Sequence, residues 1–92
     1  MSVQGPGLSF TADLAINPGI TTVYDLLATG AQQFGPAVSH TGQGSSIFIT
    51  AIGNIKNNGE RFWLYYLNGV FANKGAGSQT LQPNDRVEWR FE

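Results

Sequence analysis

The sequence predicts an α+β domain of β-grasp-like form, with one helix packed across a four- or five-stranded mixed sheet. Three observations predict it. Apolar and polar residues alternate over residues 8–16 and again over residues 87–91, the period of a strand with one buried face. Between them, Val23, Leu26, Leu27, Ala31 and Phe34 fall on one stripe at helical spacing. An apolar run over residues 61–67 leads into Asn68-Gly69, the strongest short hairpin signal, because a type I′ turn needs positive φ at both central residues. A lone helix with an apolar stripe must bury it against a sheet.

The elements follow in order. Residues 1–7 hold Gly5, Pro6 and Gly7 and read as a loose lead-in to a single domain spanning residues 8–92. In the first strand Leu8, Phe10, Ala12, Leu14 and Ile16 share a face, and Asn17-Pro18-Gly19 ends it with turn chemistry. Thr22 caps the helix and Asp25, three residues on, completes a capping box. Gly30 marks a place where the helix would bend or stop, and Gly35-Pro36 ends it. Residues 37–40 suggest a short strand and residues 47–52 a clearer one, rich in β-branched and aromatic residues. Residues 54–59 read as a polar loop turning at Asn57-Asn58-Gly59. The two-residue hairpin turn sets Leu67 opposite Val70, Tyr66 opposite Phe71 and Tyr65 opposite Ala72. One face then carries Phe62, Leu64, Tyr66 and Phe71, the other Trp63, Tyr65, Leu67 and Val70. Residues 78–81 suggest a brief extended piece before the turn at Pro83-Asn84-Asp85. In the last strand Val87, Trp89 and Phe91 point to the core, and Arg86, Glu88, Arg90 and Glu92 point away.

Composition narrows the function. The chain has 92 residues, 41% hydrophobic, with aromatic and charged residues each at 12%. It suits one domain that folds around rings and has little stability to spare. Its net charge is −1, and its five basic residues, Lys56, Arg61, Lys74, Arg86 and Arg90, are scattered. Phosphate-backbone binding needs clustered cations, so no nucleic-acid partner is expected. With no cysteine, disulfides, thiolate metal sites and iron–sulfur clusters are excluded. No apolar run approaches the ~20 residues that span a bilayer, so no membrane insertion is expected, and Met1 does not lead into a basic-then-apolar signal segment.

From Thr22 onward the sequence resembles DUF4430, a bacterial and archaeal domain family of unknown function. The marks are Val23-Tyr24-Asp25-Leu26-Leu27 at the helix start, then Phe48, Ile52, Gly53 and Ile55. The most specific is Phe62-Trp63-Leu64-Tyr65-Tyr66-Leu67-Asn68-Gly69, followed by Gly75-Ala76 and by the run from Leu81 to Trp89. They occur in order over about two-thirds of the chain. One departure is Asn84, where the family usually has Gly; Asn tolerates positive φ next best. The family is similar to the C-terminal β domain of the vertebrate cobalamin carriers, transcobalamin and intrinsic factor. That domain is a lid over a ligand held mainly by a larger helical domain. The resemblance implies a β-grasp-like fold, an extracytoplasmic or secreted setting, and a corrinoid such as cobalamin as a ligand, with no cofactor required and no cobalt ligand, since His40 matches no family motif.

The residues themselves suggest binding rather than catalysis. His40 is the only histidine; without a nucleophile elbow or an orienting carboxylate it reads as an exposed loop residue. Asp13, Asp25, Glu60, Asp85, Glu88 and Glu92 read as caps, turns and solvated faces rather than a paired acid and base. Gly75-Ala76-Gly77 would offer backbone N–H groups to an anion or simply form a turn. The hairpin rings cannot all enter one face. Either a ligand or partner protein covers the rest, or residues 37–46 and the N-terminal lead-in fold over them. The expectation is a non-enzymatic module that binds a small molecule or a protein, with Trp63, Tyr65, Leu67, Val70, Phe71, Gly75, Ala76 and Gly77 as contact candidates and no metal. The alternative is a structural, protein-interaction domain of an extracytoplasmic protein.

Overall fold

In the computed structural model, which describes residues 1–92, the chain forms eight strands and one α-helix. The strands are β1 (Ser2–Gly5), β2 (Leu8–Thr11), β3 (Val38–Thr41), β4 (Phe48–Ile52), β5 (Ile55–Lys56), β6 (Trp63–Leu67), β7 (Val70–Phe71) and β8 (Val87–Phe91). The helix, α1, is Val23–Phe34. A five-stranded sheet runs in the order β2-β1-β8-β6-β7, and a smaller sheet in the order β3-β4-β5. The larger sheet is mixed, because β1 pairs parallel with β8 while its other pairings are antiparallel. This is the α+β, β-grasp-like class expected, with a second sheet added.

The N-terminal segment differs from expectation. Residues 2–5 are not a loose lead-in; they form β1, between β2 and the C-terminal strand. Val3 faces Phe10 on one side and Trp89 on the other and is fully buried. The first alternating strand is also shorter than its pattern. It ends at Thr11, because its one partner, β1, ends at Ser2. Ala12, Leu14 and Ile16 still pack inward without ladder bonds beyond the exchange between Ala12 and Met1.

The helix starts where its capping box predicts. The Thr22 hydroxyl accepts from Asp25 N at 3.1 Å, and the Asp25 carboxylate accepts from Thr22 N at 3.0 Å. It ends at Gly35, whose N–H donates to Ala31 O at 2.8 Å. The helix does not stop at Gly30, which lies mid-helix and buried. There the Met1 side chain comes close enough to occupy the space of a Cβ, and Leu14 and Ala12 pack beside it. Glycine serves close packing at that position. Val23, Leu26 and Leu27 join Val3, Phe10, Trp63, Tyr65, Val87, Trp89 and Phe91 in one core.

The second sheet accounts for the rings. Residues 37–46 supply β3 and a single 3-10 turn (Gly44–Ser46). The expected polar loop at 54–59 contains β5, whose two residues pair with Ala51 and Ile52 of β4. With β4 these segments form the second sheet, while the lead-in expected as the other part of a cover joins the large sheet instead. The hairpin register is as its Asn68-Gly69 turn requires: Tyr66 faces Phe71 and Leu67 faces Val70, with φ 53° at Asn68 and 84° at Gly69. Asn84 likewise has φ 72°, the conformation its turn needs. The extended piece expected at 78–81 is reduced to a single bridge between Thr80 and Thr22.

A cleft between the two sheets

The inner face of β6 carries Trp63 and Tyr65, only 2% and 5% exposed. These two candidates are interior walls, not open surface: β4 comes close to β6, and Ile55 of β5 accepts from the Trp63 indole. Each ring is fixed by its neighbour in the next strand. Trp63 lies 5.3 Å from Phe91 and Tyr65 5.2 Å from Trp89, centroid to centroid. Their polar tips are held as well. The Trp63 indole N–H donates to Ile55 O at 2.9 Å, and the Tyr65 hydroxyl donates to Lys74 O at 2.6 Å. Burial raises the Tyr65 phenol above its ordinary pKa.

The two sheets meet where β4 comes close to β6, and one side chain joins them. Asn57 accepts from Trp63 N at 2.9 Å and donates to Ile49 O at 3.0 Å. Its amide bridges the backbone of the two strands, one bond to each. A second joint is made by backbone alone. Gly77 lies so close to the Gly44 carbonyl that a Cβ would overlap it, and Gly75 faces the Ser45 and Ile47 carbonyls. The candidate Gly77 is therefore a packing joint rather than an anion-binding nest, and its neighbour Ala76 is buried, with its carbonyl accepting from Tyr24 N.

Near these joints lies an apolar cleft of about 210 Å³. Trp63, Tyr65 and Trp89 line it from the large sheet. Ile47, Phe48 and Ile49 line it from β4 and the residue before it. The segment after the hairpin closes it with Ala72, Lys74, Gly75 and Ala76. Four of the eight candidates, Trp63, Tyr65, Gly75 and Ala76, thus line one recess. Leu67, Val70, Phe71 and Gly77 do not line it. Val70 and Phe71 sit on the edge strand, 68% and 51% exposed, and Phe48 at the cleft is 50% exposed. Trp89 was legible only as a core residue. Its indole N–H is buried and has no acceptor.

The remaining candidates for chemistry stand apart. His40 is exposed on β3, its ring set edge-on against Tyr24. Asp25 caps the helix, and Asp85 accepts from Asn68 Nδ2 and Gln82 N, which holds its carboxyl below the usual carboxylate range. On the open face of the large sheet, Glu88 pairs with Arg90 of its own strand at 2.7 Å rather than across strands. The Arg90 guanidinium also lies 4.1 Å from the Tyr66 ring centre, and the Tyr66 hydroxyl bonds to Glu92. No group of three His, Asp or Glu side chains is gathered at one point. No helix is long and apolar enough to cross a membrane.

Fold and cleft together define a small α+β domain, two sheets and one helix around an aromatic core, with an apolar recess between its sheets. Residues 21–92 match the model of the family described as a domain of unknown function, DUF4430. The chain belongs to that family. The matched segment runs from the helix cap to the end of β8 and contains the whole cleft, while β1 and β2 precede it. No curated protein matches the chain.

Proposed function

We propose that this domain is a non-enzymatic binding module whose ligand enters the cleft between β4 and β6. The observation that carries the reading is the recess itself. Asn57 and the Gly77–Gly44 contact hold the two sheets together, and an apolar space remains beside them. Ligand sites are mostly apolar concavities with a few polar groups, and this recess is one, with Trp63, Tyr65 and Trp89 among its lining. At about 210 Å³ it is smaller than the ~300–1,000 Å³ pockets of drug-sized ligands. It suits one ring-sized group.

That size bears on the corrinoid reading, which rests on the likeness of DUF4430 domains to the cobalamin carriers. A corrin ring is too large for the recess, so a bound corrinoid would lie across the rim with at most a peripheral substituent inside. Cobalamin should then quench indole emission only in part. Unchanged emission at millimolar cobalamin counts against this form and leaves the ring-sized form standing. The protein-interaction reading is favoured by a different observation, the exposed Val70, Phe71 and Phe48, since exposed apolar groups suit partner contact. Its test is concentration-dependent self-association or capture of a defined partner in an extracytoplasmic setting.

The test of the cleft is occlusion. Toluene should raise the melting temperature of the wild-type domain and perturb its tryptophan emission. Ala72→Phe, which fills the recess from a half-buried position at its edge, should abolish both responses. Equal responses in the two proteins would place the ligand elsewhere.

A further inference from the structure

The cleft has an apolar body and a rim charged with one sign only. Nine of its twelve lining residues are hydrophobic. Lys74 is the one basic residue among the twelve, and no aspartate or glutamate lines the space. Lys74 is exposed, and no carboxylate of the chain lies within ion-pair distance of it. Its backbone is fixed to the wall, because its carbonyl accepts from the Tyr65 hydroxyl at 2.6 Å. The ammonium stands on a flexible four-carbon stem, so it can lean over the opening while staying hydrated. Beside it, the N–H groups of Asn73 and Lys74 donate to no backbone carbonyl, and both residues are exposed. The rim therefore offers donors and a positive charge with no acid of its own to meet them.

Resting on the cleft as the binding site, we propose that its ligand is a small aromatic monocarboxylate, bound with its ring inside and its carboxylate at the rim against Lys74. Size sets the ring. An apolar cavity of about 150 Å³ holds benzene, and this one is about 210 Å³, enough for a single ring and the start of a short stem. Solvation sets the position of the charge. A carboxylate drawn into the apolar recess would lose its water with no buried partner; at the rim it stays hydrated and meets the ammonium. The ring then supplies the affinity and the charge the selection. An exposed ion pair adds little binding of its own, but a cationic analogue in the same place is repelled.

The test uses three compounds with the same ring and stems of similar length: phenylpropionate, phenylpropanol and phenylpropylamine. Each is titrated at neutral pH and low ionic strength into nitrogen-labelled protein. The Trp63 indole signal and the Ala72 and Gly75 backbone signals are followed in a nitrogen–proton correlation spectrum. The carboxylate should bind about threefold more tightly than the alcohol, and the amine about threefold more weakly, the size expected of exposed charges. Both differences should shrink as added salt screens them. Lys74→Gln should bind all three compounds alike, and Lys74→Arg should keep the wild-type order. Both variants retain the carbonyl that holds Tyr65, and the side chain they change is exposed. Equal affinities or any other order in the wild-type protein, or the wild-type order persisting in Lys74→Gln, would overturn the carboxylate assignment while leaving the cleft in place. Failure of all three compounds to move any cleft signal would overturn the cleft reading itself.

Discussion

Replacing Asn57 with alanine should separate the two sheets at the joint beside the cleft. The side chain makes two bonds, to Trp63 N at 2.9 Å and Ile49 O at 3.0 Å. Both partners belong to residues only 2% exposed, so truncation strands a buried donor and a buried acceptor. Each orphaned group costs about 1–3 kcal/mol. Asn57 is itself half-buried, so some water reaches the gap, and the lower part of the range applies. The sum is about 3 kcal/mol, a large share of the roughly 5–14 kcal/mol that a domain of this length commands. At about 4–8 °C per kcal/mol for a small domain, the melting temperature should fall by roughly 12–24 °C. Thermal denaturation followed by circular dichroism measures it. Asn58→Ala is the control: its carbonyl oxygen accepts from Glu60 N and Arg61 N in an exposed turn, and its loss should cost about 1 kcal/mol or less. A drop of less than about 3 °C for Asn57→Ala, well under 1 kcal/mol by the same conversion, would show that the sheets do not depend on this amide.

Other outcomes follow from the same geometry. Gly77→Ala drives a methyl group into the Gly44 carbonyl and should cost about 1–3 kcal/mol in urea denaturation; a neutral result would mean that the joint is loose. Tyr65→Phe loses the bond to Lys74 O, about 1 kcal/mol at neutral pH. Burial raises the Tyr65 pKa in the folded state, so the wild-type contribution is whole below the unfolded value of about 10 and declines as pH rises through the folded one. The variant should lose less stability than wild type on alkaline titration, read by denaturant midpoints. Asp85 has the opposite sign: bonds from Asn68 and Gln82 lower its folded pKa, so its contribution is present above about pH 3.9 and fades as pH falls through the depressed value. Asp85→Asn should therefore show a smaller drop in melting temperature between neutral and acidic pH, and an unchanged acid limb would remove Asp85 from the explanation.

Local chemistry made much of the fold readable. Thr22 and Asp25 announce the helix start because capping depends on residues three apart, and Asn68-Gly69 fixes the hairpin register because few residues tolerate its backbone. Residues 87–91 alternate without interruption, so their inner face was assignable in advance. What stayed hidden depends on residues far apart in the chain. β1 has one fully buried residue, Val3, and its pairing with β8 joins the two ends of the molecule, which no window of sequence can show. β3 reads Val-Ser-His-Thr and β5 has two residues, so neither carries a period, yet each pairs with β4 to complete the second sheet. The cleft was half visible: the aromatic run 62–67 drew attention to β6, and Gly75 and Ala76 to its closing segment. Asn57 looked like an ordinary turn residue, because its role arises only when β4 and β6 face each other. Trp89 looked like core, and the missing acceptor depends on which groups come to lie above it.

The most direct measurement is a crystal structure of the domain under xenon pressure, since xenon enters apolar cavities without needing a polar partner. The expected result is one xenon atom between Ile49 and the rings of Trp63 and Tyr65, with the Asn57 bonds intact. Side chains collapsed into that space, or xenon bound only at other positions, would contradict the cleft as a site held open for a ligand.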